Sequence, residues 1–459
     1  MSDVDREPFD RLVADTAAEQ HCPTVSWGIV AGGRLELTGS VGDVSAGTVY
    51  RIASMTKSFS AAATLALRDD GQLRLDDPIG VHAPELTSFR SPTADAPPIT
   101  IRDLLAMTSG LVTDDPWADR HLDLPAADFD AVVADGGVFA RPTGTSYEYS
   151  NFGFALLGRV VERATGRTVQ DHVSERLLAP LQLGRTTWVQ PDHEDWTRPM
   201  RWLDDGFVDE LPPLGDGMIA PMGGLWTTVA DLARWVSWLD DAFPARDADD
   251  AGPLSRASRR EMQSPQSYVG LRTLRGVRHP TSYGYGLRIM HEQDLGTVIA
   301  HSGGIPGYGS SMRWVSGSGV GAIALANSTY APMTELAARL LDEAARQGLL
   351  TRRPADVAPP LAAAARRLVE QLNAWTDERA DQLFADNVAA DDSYERRRAE
   401  AAAHTPLTIV NVEAVNDARG TIVCTSSSGD RVRISLSLAP HRADRIQAYT
   451  IDHTARGGS

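Results

Sequence analysis

Apolar and polar positions follow two rhythms along this chain. Over residues 6–20, Phe9, Leu12 and Val13 recur at helical spacing and predict an amphipathic helix. The stretch TVSWGIVAGGRLELTGSVG reads as a strand, a Gly-Gly turn and a second strand. Helical spacing returns from about Ser54 to Arg68, ending at Asp69-Asp70-Gly71. It recurs in ITIRDLLAMTSGL, stopped by Gly110, in SNFGFALLGRVVERATG, with Ser150 or Asn151 near its start, and in TTVADLARWVSWLDDAF. Residues 70–270 therefore read mostly as helix and loop. Short strand runs with glycine breaks follow, GYGLRIM, TVIAHSGG, SSMRWVS and GVGAIALANS, and then a long amphipathic helix, APMTELAARLLDEAARQGLL. Strands at both ends of this region bracket a helical middle. The simplest assembly is one sheet built from both ends, with a helical insertion beside it.

Residues 350–360, LTRRPADVAPP, read as a proline-containing linker, which bounds a first domain at 1–349. Beyond it the pattern restarts. Leu361, Leu368, Leu372 and Trp375 mark one helical face, and PLTIVNVEAV, GTIVCTSS, RVRISLSLA and RIQAYTI read as an antiparallel meander. Val432, Ile434, Leu436 and Leu438 alternate with polar residues, as in a half-buried strand. Residues 361–459 are thus expected to form a small α+β domain.

At 459 residues the chain is long enough for two domains, and 42% apolar with 23% charged residues suits a globular protein. A net charge of −17 argues against nucleic acid and anionic membrane surfaces as partners. Cys22 and Cys424 fit no metal or redox spacing and read as free thiols. The acidic N-terminus lacks a basic start and an apolar run, and no stretch is long and apolar enough to span a bilayer. The expected location is cytoplasmic.

One position stands apart from this composition. Lys57 is the only lysine; every other basic side chain is arginine. Arginine cannot lose its proton in a protein, whereas a buried lysine can. A site that cycles between ammonium and amine therefore excludes arginine. Ser54 lies three residues before Lys57, on the same helical face and in the first turn. There the helix dipole and burial both disfavour an ammonium, so Lys57 can take a proton from the serine hydroxyl.

Two further motifs accompany SMTK: YSN at 149–151, at a helix start, and HSG at 301–303, after an apolar run and before Gly304. With LDDPIG, LLAMTSGL, PMGGLWTTVADLARW and HSGGIPGYG, the chain resembles the serine β-lactamase-like family from residue 1 to about 345. That family includes class C β-lactamases, D-Ala-D-Ala peptidases, D-aminopeptidases and β-lactamase-like carboxylesterases. The resemblance implies an α/β fold of the α+β type: an antiparallel sheet flanked by helices, with a mostly helical insertion. It implies Ser54 as nucleophile, Lys57 as its base and Tyr149 as the proton relay to the leaving group. Asn151, His301, Ser302 and Gly303 would contact substrate, and the backbone N–H groups of Ser54 and Gly304 would form the oxyanion hole. Tyr147 competes as the relay tyrosine, but only Tyr149 stands two before an asparagine.

HSG stands where β-lactamases and cell-wall peptidases usually carry Lys-Thr-Gly. A mostly neutral imidazole attracts a substrate carboxylate less than a fixed cation. This favours esters and D-amino-acid amides over β-lactams, and predicts that His301→Lys improves β-lactam acylation.

The other features read more plainly. Trp188, Trp202, Trp226, Trp235 and Trp238 suit a core better than an aromatic cleft. HEDW and HEQD lack the helical His-Glu-x-x-His spacing, so no metal is expected. No Gly-x-Ser-x-Gly elbow occurs. Arg442 and Arg445 suit a surface better than a carboxylate clamp. The expectation is a serine hydrolase that needs no metal or organic cofactor and acts on a small molecule or short peptide. The alternatives are a peptide cyclase with an amine acceptor, a β-lactamase, and a non-catalytic binding protein.

Overall fold

A computed structural model describes residues 4–89, 93–192, 195–210, 215–244, 246, 250, 252–350 and 357–453. The chain divides into two compact units, residues 1–351 and 352–459. Each holds its own apolar core.

The first unit is built on an eight-stranded antiparallel sheet. Its strands are β1 (Val25–Ala31), β2 (Arg34–Val41), β3 (Ser267–Leu274), β4 (Val277–Tyr283), β5 (Arg288–Glu292), β6 (Gly296–Ile305), β7 (Tyr308–Val315) and β8 (Val320–Ala326). Their order across the sheet is β2-β1-β8-β7-β6-β5-β4-β3. The strands from the two sequence ends meet where β1 pairs with β8, Trp27 opposite Ala324. The Gly32-Gly33 turn between β1 and β2 takes φ of +59° and +76°, the left-handed values that a two-residue hairpin asks of glycine.

Six helices matter here: α1 (Glu7–Glu19), α2 (Thr56–Asp69), α3 (Asn151–Thr165), α4 (Val229–Asp240), α5 (Met333–Arg346) and α6 (Pro359–Asn373). Phe9 and Val13 of α1 and Leu336 and Leu340 of α5 share one cluster with Trp27, Ile29, Ala322 and Ala324. The larger core joins Met312, Trp314 and Ile323 of the sheet to Phe59 of α2, Leu156 of α3 and Trp235 of α4. Phe59 stacks on Trp235 at 3.9 Å between ring centroids. Helix α3 starts on Ser150, whose Oγ accepts from Gly153 N at 3.1 Å, and ends on Gly166 at φ +70°.

The second unit packs α6 on a four-stranded meander, β9 (Leu407–Asn416), β10 (Arg419–Ser426), β11 (Arg431–Ala439) and β12 (Arg442–His453). Leu361, Leu368 and Leu372 share its core with Val432, Ile434, Leu436 and Leu438. Trp375 lies beyond the end of α6 rather than on its face. Cys22 and Cys424 are buried free thiols.

Three features differ from the sequence reading. The hairpin β3–β4 occupies residues read as helix and loop, or not read at all. Its outer strand exposes Tyr268 and Leu271, and Pro280 interrupts the pattern of β4. The helix in ITIRDLLAMTSGL spans only Ile101–Leu105; the chain turns at Met107, with φ +58°, before it reaches Gly110. Ser54 sits on a 3-10 turn, Ala53–Met55, that leads into α2. Residues 351–356 of the expected linker lie outside the described residues. Among the described residues no helix is long and apolar enough to cross a membrane.

Candidate active site

The segment before Ser54 is pinned on two sides. Tyr50–Arg51 pairs with Trp226–Thr227, and the Ile52 N–H donates to Leu225 O at 3.0 Å. Ser310 Oγ of β7 donates to Ile52 O at 2.8 Å. Ala53 then takes φ +47°, a left-handed conformation that costs an ordinary residue about 1–3 kcal/mol. This kink delivers Ser54 beside the end of β6. The approach is so close that a Cβ on Gly303 would lie 2.2 Å from Ile52 O. Gly303 is therefore a packing position under the site, whereas Ser302 and Gly304 line the cleft. Strand β5 pairs with β6 only as far as Ala300, so among the described residues no strand pairs with the β6 edge from His301 to Ile305 on that side.

Lys57 is fully buried. Its Nζ lies 2.9 Å from Ser54 Oγ, 2.7 Å from Asn151 Oδ1 and 2.9 Å from Met222 O. Burial pulls its pKa down to about 7; Asp115, Asp119 and Asp114 oppose the fall, and Arg288 adds to it. Tyr149 hydrogen-bonds the Ser54 hydroxyl, and desolvation holds its phenol well above the usual range. The Lys57 ammonium position lies 4.9 Å from the Tyr149 ring centroid. One serine hydroxyl thus touches both a base able to be neutral and a phenol that stays protonated.

Asn151 enters from the first turn of α3. Its Nδ2 donates to Asp115 Oδ1 at 2.7 Å. Asp114 accepts from the backbone N–H groups of Asn151 and Phe152 at 2.7 and 2.8 Å, so a carboxylate caps this helix from outside. Asp119 is buried, and desolvation pushes its carboxyl up to about 7, although Tyr330 donates to it at 2.9 Å.

His301 is 2% exposed, and burial, then Arg288 and Lys57, hold its pKa well below the usual value. Its Nδ1 lies 2.8 Å from Ser302 O, which only accepts, so Nδ1 carries the proton. The Tyr283 hydroxyl, 3.1 Å away, then donates to Nε2. His301 is a neutral wall with no hydrogen to offer substrate.

The cation that the sequence reading found missing comes from elsewhere. Arg288, at the start of β5, lies 5.6 Å from the Tyr149 ring and 6.0 Å from that of Tyr283. It lines the cleft with Arg272 of β3. An arginine inside the otherwise apolar run GYGLRIM was the available signal. Tyr147 also lines the cleft, packed on Tyr283 at 5.7 Å, but the serine's partner is Tyr149.

The cleft encloses about 540 Å³. Asp115 and Asp119 supply negative groups to it, and Arg272 and Arg288 positive ones. Among the described residues its lining includes none of the five tryptophans; Trp226 and Trp235 are fully buried in the core. Arg442 pairs with Asp444, and Arg445 donates to the carbonyls of Asp381 and Phe384, all in the second unit. Among the described residues no group of three or more His, Cys, Asp or Glu side chains is placed to hold a metal ion.

The Beta-lactamase family model matches residues 9–346. Penicillin-binding protein 4 of Amycolatopsis lactamdurans is 30% identical over 370 residues, covering 77% of this chain and 92% of its own. Protein flp of Staphylococcus aureus (strain MW2) is 25% identical over 352 residues, 72% of this chain. The chain spans 65% of the length of that relative. An octameric penicillin-binding protein homologue from Pyrococcus abyssi superposes with a TM-score of 0.64 at 20% identity, over 98% of this chain and 96% of that one. A D-stereospecific amidohydrolase from Streptomyces sp. superposes with a TM-score of 0.61 at 24% identity, over 73% and 98%. At these identities the two structures establish a shared fold.

Proposed function

The chain belongs to the Beta-lactamase family, which supports a hydrolase of the serine type, and from that premise we propose that it works through an acyl-enzyme on Ser54. The observation that carries this reading is the 2.9 Å contact between Ser54 Oγ and a fully buried lysine amine. Neutral Lys57 takes the hydroxyl proton as Oγ attacks an ester or amide carbonyl. The N–H groups of Ser54 and Gly304 receive the oxyanion, and Tyr149 gives a proton to the leaving group. Water then releases the acid and regenerates the serine.

The substrate class we favour is a short acyl ester or a D-amino-acid amide, ahead of β-lactams. The warrant is narrower than the sequence suggested. His301 is neutral, but Arg288 and Arg272 give the cleft positive charge of its own. A lysine at position 301 would stand as a third cation beside Arg288 and Lys57. It would push the Lys57 pKa further down and desolvate its own charge, so His301→Lys is no route to better β-lactam acylation. A second reading keeps the chemistry and changes the acceptor. Asp115 and Asp119 face the cleft beside Ser54, which suits an amine acceptor approaching as its ammonium.

Intact-mass measurement after a fluorophosphonate probe should show one adduct, absent in Ser54→Ala. Labelling that persists in Ser54→Ala would sink the assignment. Turnover of p-nitrophenyl acetate, D-alanine amide and nitrocefin ranks the substrates, and a nitrocefin preference by kcat/KM overturns the order. Repeating the ester assay with added D-amino-acid amide separates water from amine. Transfer product at the expense of acid supports the second reading, and acid alone rejects it.

A further inference from the structure

Three oxygens surround the Lys57 amine: the Ser54 hydroxyl, Asn151 Oδ1 and the Met222 carbonyl, all within 2.9 Å. A neutral amine has two N–H bonds and one lone pair. The Met222 carbonyl can only accept, and so can the Asn151 amide while it presents its oxygen. Both N–H bonds are then used, and the lone pair is left for the one remaining neighbour, the Ser54 hydroxyl. If the amide turned over, its NH2 would donate into that lone pair, and the base would be spent on a static hydrogen bond.

The choice is made one residue further out. Asn151 Nδ2 donates to Asp115 Oδ1 at 2.7 Å. An ionised carboxylate has no hydrogen to give, so it accepts the NH2 end and refuses the oxygen. Asp115 begins a one-turn helix, Asp115–Ala118, and is exposed.

We infer that Asp115 is a positioning residue: acting through Asn151, it holds the amide oxygen toward Lys57, so that the lone pair of the neutral amine is kept for Ser54. The inference rests on the roles proposed for Ser54 and Lys57. Other groups face the same amine. Asp114 and Asp119 act on it together with Asp115, Arg288 comes from β5, neutral His301 from β6, and Tyr149 from the segment just before α3. Asp115 leads the three carboxylates that hold the lysine's proton, so its removal also makes Lys57 easier to deprotonate.

These two effects oppose each other, which gives the test. Lys57 is the only lysine, so protein labelled with ε-¹³C lysine yields one side-chain signal. In Asp115→Asn that signal should titrate about one pH unit lower than in the wild type, a tenfold loss of proton affinity. Charge loss alone would then speed acylation near neutral pH. Instead Ser54 labelling by fluorophosphonate should slow by roughly 10- to 100-fold, because an asparagine side chain can pair with either end of the Asn151 amide, accepting from its NH2 or donating to its oxygen. Thermal unfolding checks that the variant is folded, and Asp115→Glu, which still only accepts, should recover part of the rate. An Asp115→Asn enzyme labelled as fast as wild type at pH about 9, where Lys57 is neutral in both, overturns the inference. If wild-type Ser54 is not labelled at all, the proposed function fails instead. The ¹⁵N signal of the Asn151 side-chain NH2 then decides alone, and one that Asp115→Asn leaves in place overturns the inference, because the amide was not donating to Asp115.

Discussion

Arg313 and Lys57 are both fully buried in the first unit, and the oxygens around them differ in kind. Arg313 of β7 is fully buried and meets the Glu292 carboxylate of β5. Arg275 donates to the same carboxylate at 2.5 Å and to Asp342 of α5 at 2.7 Å. Lys57 is equally buried, yet its amine touches a hydroxyl and two neutral amide oxygens, and no carboxylate. An opposite charge in contact fixes a buried cation as a cation. Neutral oxygens stabilise ammonium and amine more evenly, and desolvation then brings the pKa to about 7. The first arrangement clamps the fold together. The second leaves a proton free to move. Burial alone distinguishes neither; the residue type and the kind of oxygen in contact do.

The largest effect should come from treating the second cation like the first. Lys57→Arg keeps the charge and removes the ability to lose it. A lost general base costs roughly 10²- to 10⁴-fold, and more where nucleophile and base act as a unit. Ser54 acylation should therefore nearly vanish. Should Lys57→Arg keep more than about a tenth of wild-type kcat/KM, well above what a missing base allows, Lys57 is not the base. The converse change is Glu292→Gln, which leaves Arg313 buried without its countercharge. Breaking a buried pair from one side costs about 3–5 kcal/mol, so thermal or urea unfolding should show a loss of that order. Molecules that remain folded should still label at Ser54. A loss under about 1 kcal/mol would show that the pair does not clamp the sheet.

The sequence carried the chemistry of the site better than its support. Ser54, Lys57, Tyr149 and Asn151 were legible as neighbours because short motifs fix residue type and spacing: Lys57 and Tyr149 meet at the Ser54 hydroxyl, and Asn151 meets the Lys57 amine. The paired strands at both ends and the meander of the second unit were legible because alternation is a local signal. The hairpin of residues 267–283 was not, because an edge strand keeps polar and exposed positions and tolerates Pro280. Arg288 escaped notice because the apolar run GYGLRIM marks it as unusual without saying that it turns toward Tyr147, Tyr149 and Tyr283. The strain at Ala53 and the bond from Asn151 to Asp115 are tertiary facts, set by contacts 36 residues apart and more. His301 is neutral, as its place in the motif suggests, and a fixed cation reaches the cleft from Arg288, which no motif marks.

The smallest effects are shifts in a pH profile, and they bear most directly on the Lys57 proton. With the Lys57 pKa at about 7, kcat/KM should climb as pH rises through that value, because the neutral amine is the working form. Tyr149 titrates well above 10, so it stays protonated and no fall is expected before the alkaline range. Asp119 complicates the limb, since its own pKa is also about 7. Its ionisation holds the lysine's proton, so the observed value belongs to the pair. Asp119→Asn removes that negative charge, and the limb should move to lower pH by a fraction of a unit. His301→Gln should leave it in place, because a histidine already neutral throughout this range contributes no proton. A limb that disappears in His301→Gln would assign the titration to the imidazole. Lys57 would then be neutral, or charged, across the whole range, and the distinction drawn between the two buried cations would fall.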